Sequence, residues 1–94
     1  MYKQSNSVIT RQIAGDTLLI PITQVGVDLQ KVYLLNETAA AIWELLQTPR
    51  SADDLVTSLQ ETYEAPEETI RRGVEAVLED LTGRGFITLV ATDG

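Results

Sequence analysis

The chain has no cysteine and no histidine, and only 5% of its 94 residues are aromatic. The absence of cysteine excludes disulfides, thiolate nucleophiles and thiolate metal ligands, and it agrees best with a reducing compartment. Without imidazole or thiolate, zinc, copper and iron sites lack their usual donors, and acid–base catalysis at neutral pH lacks its commonest residue. We therefore expect no metal, no cofactor and no enzymatic activity.

Long apolar runs and basic residues are also scarce. No stretch approaches the ~20 apolar residues of a membrane span, and residues 1–6 lead into no secretory core, so we predict a cytosolic protein without a membrane partner. Lysine and arginine number 7 against 14 acids, a net charge of −7. This charge disfavours nucleic acid as a partner. It reflects either solubility alone or the steering of a basic peptide or protein.

The apolar content, 44% of the chain, suits a single compact domain spanning residues 1–94. Short apolar runs separated by turn residues predict strands at 7–13, 17–22 and 28–35, the first two joined by a reversal at Gly15 and Asp16. Pro21 lacks an N–H, so its strand lies at a sheet edge or the ladder is already broken there. The third strand is apolar on both faces, so something must cover its second face.

From Asn36 the apolar period becomes helical. Asn36 is a predicted N-cap, Ser51 and Asp54 have the spacing of a capping box, and Pro66 suits the first turn of a third helix. That helix is expected to end at Gly83 or Gly85, before a short strand or wing at 86–90. Trp43 and Tyr63 are assigned to the core. The predicted fold is α+β, a three-stranded antiparallel sheet followed by a three-helix, winged helix-turn-helix-like bundle.

A winged helix on its own would suggest DNA binding, but the charges of the third helix oppose that function. A helix that reads a DNA groove carries mostly basic side chains. Here acids outnumber bases between residues 66 and 82: Glu67, Glu68, Glu75, Glu79 and Asp80 against Arg71 and Arg72.

Three segments together resemble the PqqD-like family. Residues 32–46 read VYLLNETAAAIWELL, residues 51–63 resemble the family's second helix with its closing tyrosine, and residues 78–87 read LEDLTGRGFI. The resemblance implies a peptide recognition element that captures the leader segment of a ribosomally made precursor peptide and presents it to a partner such as a radical SAM enzyme. In the family the leader adds a strand beside the third strand, in a groove whose other wall is the third helix.

Carried onto this chain, the resemblance implies a peptide-binding set of Lys31, Val32, Tyr33, Leu34, Leu35, Thr69, Arg72, Gly73, Ala76, Val77 and Asp80. Gly73 stands where many relatives have aspartate and Val77 where many have phenylalanine, so we expect a shallower and less acidic pocket.

The residues support the same site on physical grounds, with alternatives. An uncovered strand edge offers backbone N–H and C=O groups to a partner strand, and the third predicted strand has no proline or charge at its centre. The alternative is a central, simply buried strand. Gly73 costs a helix ~1 kcal/mol relative to alanine, which fits either ordinary helix packing or the close approach of a peptide. An acidic winged-helix adaptor for a folded protein remains the second functional hypothesis, and a homodimer stays open.

Overall fold

The computed structural model describes residues 1–23, 26–27 and 29–90. Within them the chain is α+β, as predicted. The strands are β1 (Tyr2–Gln4), β2 (Val8–Ile13), β3 (Asp16–Thr23), β4 (Gly26–Val27), β5 (Tyr33–Leu35) and β6 (Ile87–Leu89), and the helices are α1 (Glu37–Leu45), α2 (Ala52–Thr62) and α3 (Glu67–Gly83).

The main sheet is antiparallel and is built around β3. Strand β2 pairs along one side of β3, while β5 and the two-residue β4 pair along the other. The β2–β3 turn lies one residue earlier than predicted, at Ala14 and Gly15, whose φ angles are 53° and 85°. Positive φ at both positions is the geometry of a two-residue turn that matches strand twist, and it is unusual for alanine.

Pro21 lies in the strand with most neighbours, so it is not at a sheet edge, and the second alternative applies. The amide of Ile22 donates to the carbonyl of Ser7 at 2.8 Å, so the backbone of Pro21, one residue before, faces away from β2. On that side β5 begins opposite Leu19, at Tyr33, and β4 ends opposite Ile22, at Val27. Proline therefore falls in the gap between two ladders, where no donor is needed.

The third predicted strand is shorter than expected. Residues 29–31 form a 3-10 turn, so Lys31 lies outside the strand, and only Tyr33–Leu35 pairs with β3. Asp28, the predicted start, lies outside the described residues. The ladder is short because only residues 17–19 of β3 lie opposite β5, and the gap at Pro21 comes next.

The predicted helix boundaries are largely confirmed. Asn36 caps α1 by accepting from the amide of Ala39 at 2.8 Å, and Ser51 and Asp54 form the expected capping box of α2. Pro66 is the N-cap residue of α3 rather than part of its first turn. Helix α3 ends at Gly83, and Gly85 follows with φ 79°. The amides of Gly85 and Phe86 donate to Thr82 and Leu81, a Schellman motif.

The C-terminal strand exists, but its partner was not predicted. Strand β6 pairs with the N-terminal strand β1, so the expected wing is one half of a two-stranded sheet that joins the two ends of the described chain. Tyr2 also exchanges backbone hydrogen bonds with Arg50, which ties β1 to the residues just before α2.

The core lies between the helices and one face of the main sheet. Leu19 and Leu35 point into it from β3 and β5, and Trp43 is 2% exposed, with its indole N–H donating to Thr10 Oγ1 at 2.8 Å. The assignment of Trp43 to the core is confirmed, and Tyr63 packs against the core half-buried. Because side chains alternate along a strand, burial of Leu19 directs Leu18 and Ile20 to the opposite face.

Candidate functional site

Strand β5 has one paired edge and one open edge. Among the described strands it pairs only with β3. Since residues 18, 20 and 22 of β3 turn their backbone groups toward β2, residues 17 and 19 turn theirs toward β5, where they meet Leu35 and Tyr33. In an antiparallel ladder the intervening residue faces the other way. The N–H and C=O of Leu34 therefore point outward, at the spacing that an added strand needs.

Helix α3 forms a wall beside this edge. A depression of about 240 Å³ lies between them and is lined by Tyr33, Leu34, Asn36, Ala39, Ala76, Val77, Asp80 and Leu81. We call this depression the β5–α3 groove. Its helix side is made of small or medium apolar side chains, and Asp80 lies at one end. An extended peptide fits such a surface, with its backbone on Leu34 and alternate side chains against α3.

A polar cluster holds β5 against α3. The hydroxyl of Tyr33 donates to Asp80 Oδ2 at 2.6 Å, Arg84 Nε donates to Asp80 Oδ1 at 3.0 Å, and the guanidinium carbon of Arg84 lies 4.1 Å from the centre of the Tyr33 ring. The hydrogen bond to the Asp80 carboxylate, assisted by burial, raises the pKa of Tyr33. The same bond, and then the contacts with Arg84, lower the pKa of Asp80. The carboxylate at the end of the groove is therefore already paired.

The predicted site residues divide into two groups. Tyr33, Leu34, Ala76, Val77 and Asp80 come together in the β5–α3 groove. Six others lie outside its lining: Lys31, Val32, Leu35, Thr69, Arg72 and Gly73.

Those six have different positions. Lys31 and Val32 precede β5 and are exposed, whereas the side chain of Leu35 is buried in the core. Thr69, Arg72 and Gly73 lie on α3 before Ala76, at spacings of three or four residues that extend the same helix face. Arg72 forms an ion pair with Glu68 at 2.6 Å. A peptide that continues along α3 beyond the groove would meet these three residues.

Gly73 has open space where a side chain would be. A Cβ built on it meets no atom within 4 Å, leaving aside its own helix's backbone. No other part of the described chain therefore requires a glycine here, and packing between helices does not account for it. Space above a half-buried helix position is what an approaching peptide backbone needs.

Four residues at the groove were missed from sequence: Asn36, Ala39 and Leu81 line it, and Arg84 pairs with Asp80 at its end. The sequence identifies Asn36 as the cap of α1 and Ala39 as part of its core-facing stripe, yet both also line the groove. The spacing of Asp80 and Arg84, four residues apart on a helix, is a recognisable signal for the ion pair.

A larger depression of about 670 Å³ adjoins the groove at Leu34 and Asn36. Its lining includes the carboxylates of Asp16, Glu37 and Glu44. A peptide leaving the groove in this direction would meet a negatively charged surface, which suits the steering of a basic peptide that the composition allowed.

Helix α3 offers little to DNA in the described structure. Arg71 forms ion pairs with Asp53 and Glu67, at 2.8 and 3.1 Å, and Arg72 pairs with Glu68. Its two basic residues are thus already matched by acids, and Glu75 and Glu79 are exposed. In the described part of the chain no helix is long and apolar enough to cross a membrane.

Two solved structures share this fold. One is TbiB1 in complex with the TbiA(beta) leader peptide, with a TM-score of 0.77, 21% identity, and coverage of 96% of this chain and 99% of that one. The other is lasso peptide synthetase B1 complexed with the leader peptide, with a TM-score of 0.76, 22% identity, and coverage of 94% and 98%. The architecture is therefore that of small α+β proteins that have been solved with a leader peptide bound.

The sequence places the chain within one family. The family model of coenzyme PQQ synthesis protein D (PqqD) matches residues 22–87, and the chain belongs to this family. It is also similar to a PqqA binding protein of Bradyrhizobium diazoefficiens, with 36% identity over 59 residues. That match covers 63% of this chain and 57% of the relative, so the chain spans less than two thirds of the relative's length.

Proposed function

We propose that this protein is a non-catalytic, cytosolic peptide-binding domain that captures the leader segment of a ribosomally made precursor peptide and presents it to a modifying enzyme. The leader binds in the β5–α3 groove as a strand added to β5. The observation that carries the proposal is the open edge of β5, where the backbone of Leu34 faces outward beside an apolar helix wall.

Membership of the PqqD family supports the proposal. The curated relative is a PqqA binding protein, and both structural neighbours were solved with a leader peptide. The geometry adds the mechanism, because backbone pairing with Leu34 supplies affinity for any extended segment and the helix wall selects among side chains.

The helix wall sets the length of peptide that can be read. From Thr69 to Asp80 the helix rises by roughly 16 Å at ~1.5 Å per residue. An extended peptide advances ~3.3 Å per residue, so about five leader residues lie along this wall. Their side chains alternate, so two or three of them face Ala76, Val77 and the space above Gly73.

The acidic-adaptor hypothesis uses the same groove for a folded partner. The groove favours a flexible guest, because Leu34 is the only residue of the three-residue strand whose backbone faces outward, and a strand must come close to α3 to reach it. A folded protein would have to present an exposed edge strand of its own.

Val77→Glu tests the groove. A charge in the apolar wall is either desolvated or excludes the guest, so we expect affinity for the leader to fall by tenfold or more. Sequencing the flanking genes identifies the candidate precursor peptide, and calorimetry with its synthetic leader segment measures this. Gln60→Glu, on the exposed face of α2, adds the same charge and should leave affinity within twofold of wild type.

Val77 packs partly against the core, so folding needs its own control. Val77→Ala keeps the helix and is expected to weaken binding by a few fold, with an unchanged circular dichroism spectrum. Unchanged affinity in both folded Val77 variants would contradict binding in this groove.

A further inference from the structure

The face of the main sheet that points away from the helices is unusually apolar. Burial of Thr17 and Leu19 assigns Leu18, Ile20 and Ile22 to this outer face, and the register adds their cross-strand partners. We define the outer face by the side chains of Ile9, Arg11, Ile13, Leu18, Ile20, Ile22 and Leu34. Alternation along the sequence places Ile9 and Ile13 on one side of β2 and Leu18, Ile20 and Ile22 on one side of β3, which is the pattern of a core face.

These apolar side chains are contiguous and partly open to solvent. Ile9 lies opposite Ile20, and Leu18 lies between Arg11 on β2 and Leu34 on β5. Ile13, Ile22 and Leu34 are 58%, 41% and 56% exposed.

The half-buried members of this face, Ile9, Leu18 and Ile20, do not belong to the core. The partly buried hydrophobic residues that pack on the core are Tyr2, Val8, Tyr33, Ala40, Ala41, Leu45, Ala52, Tyr63 and Val77. A clustered apolar surface of this kind on a small protein marks an interaction surface.

The charge on the outer face differs from that of the rest of the molecule. The chain carries a net charge of −7, but the centre of this face holds Arg11, opposite Leu18. Arg11 is exposed and forms no ion pair with any described residue, whereas Arg71, Arg72 and Arg84 are each paired with carboxylates. Asp16 shares the face at the hairpin end. The complementary partner is thus an apolar surface with a carboxylate near its centre.

We propose that the outer face binds the enzyme that modifies the captured peptide. The inference rests on the proposed function, and Leu34 connects the two sites. Its backbone faces the added strand and its side chain belongs to the outer face, so a protein docked here lies directly beside the bound leader while the groove stays accessible. A second copy of this chain is the less suitable occupant, because two bodies of charge −7 repel each other.

Ile20→Lys tests the outer face without touching the groove. Sequencing the flanking genes identifies the candidate peptide-modifying enzyme; the probe is that purified enzyme, and its affinity for the full chain is measured by biolayer interferometry. We expect at least a tenfold loss for Ile20→Lys, with leader affinity within twofold of wild type. Gln12→Lys adds the same charge to the opposite face of the β2–β3 hairpin and should change neither affinity.

Each result decides between occupants. Loss of enzyme binding in Ile20→Lys but not in Gln12→Lys supports the proposal. Retention of enzyme binding in the conservative variant Ile20→Val strengthens it. Enzyme affinity that survives Ile20→Lys, a wild-type chain that does not bind the enzyme, or wild-type dimers in sedimentation that Ile20→Lys dissociates would each overturn it. Failure of the proposed function has a separate signature, because the wild-type chain would then not bind the leader in calorimetry, whatever its affinity for the enzyme.

Discussion

The open edges of β2 and β5 in the main sheet differ in what lies beside them. Strand β2 is six residues long, and its register with β3 turns the backbone groups of Val8, Thr10 and Gln12 outward. Strand β5 is half as long and turns out only those of Leu34. Strand β2 therefore offers more backbone donors and acceptors. The two depressions next to β5, however, contain no residue of β2 in their linings.

The two edges also differ in their side chains. The charge of Arg11 lies in the middle of β2, and charged or polar residues on an edge strand discourage pairing with other chains. Beside Leu34 the neighbouring surface is apolar, and Tyr33 is fixed to Asp80. An unpaired backbone edge alone therefore does not make a peptide-binding site. An apolar wall at strand distance distinguishes the β5 edge from the β2 edge.

Proline substitutions at the two edges give the largest expected contrast. Leu34→Pro removes the outward donor and places a ring where the guest strand would lie, while Tyr33, being extended, suits the position before proline. We expect leader affinity to fall by tenfold or more in calorimetry. Gln12→Pro removes an outward donor of β2 and should leave affinity unchanged. Equal losses in two variants with native thermal unfolding curves would contradict the choice of edge.

A glycine pair on α3 gives an intermediate contrast. Gly73→Ala and Gly83→Ala each place a methyl group in open space, so each should raise the free energy of unfolding by up to ~1 kcal/mol in urea titrations. Gly73 lies on the helix face that continues the groove toward Thr69, whereas Gly83 is the last residue of α3 and lies past the groove lining, three residues beyond Asp80. We expect Gly73→Ala to weaken leader binding several-fold and Gly83→Ala to leave it unchanged. Two stabilised variants with wild-type affinity would show that the peptide does not approach Gly73.

Tyr33→Phe is expected to have the smallest effect. It should lower the free energy of unfolding by about 0.5–1 kcal/mol at neutral pH, because it removes one partly exposed hydrogen bond. The raised pKa of Tyr33 stabilises the fold fully below pH 10.0, and this contribution is lost as pH rises through the folded value. The lowered pKa of Asp80 stabilises the fold above pH 3.8, and its contribution is lost as pH falls through the folded value. The variant should lose the first dependence and keep only the part of the second that Arg84 supplies.

Unfolding curves of wild type and Tyr33→Phe across pH measure this difference directly. The difference in free energy of unfolding between the two proteins should be constant between pH 3.8 and 10.0 and should become smaller outside that range. A gap that does not change with pH would show that the bond to Asp80 is not coupled to ionisation.

Local signals predicted the helices well, because their boundaries depend on nearby residues. Asn36, the capping box of Ser51 and Asp54, and Gly85 each act within a few residues of the helix end that they fix. The β1–β6 pair was beyond such reasoning. The C-terminal strand was predicted, but the three residues of β1 carry no periodic pattern long enough to interpret, and the pairing of the two strands is decided by tertiary packing.

The sheet shows a different limit. Alternation grouped Leu18, Ile20 and Ile22 correctly, but period two does not say which face the helices cover. Leu19 and Leu35 fill the core instead. The groove residues on α3 could be proposed in advance through family resemblance, whereas the pairing of Tyr33 with Asp80 and Arg84 needed the fold to bring a strand and a helix together.

The small β1–β6 sheet has a practical consequence. The amide of Val90 donates to the carbonyl of Met1 at 2.6 Å, and the amino group of Met1 donates to the carbonyl of Val90 at 3.1 Å. Met1 and Val90, the first and last described residues, are thus adjacent. This geometry tolerates circular permutation and insertion into a host loop. The domain is consequently suited to grafting as a cassette into a larger polypeptide, with both junctions on one side.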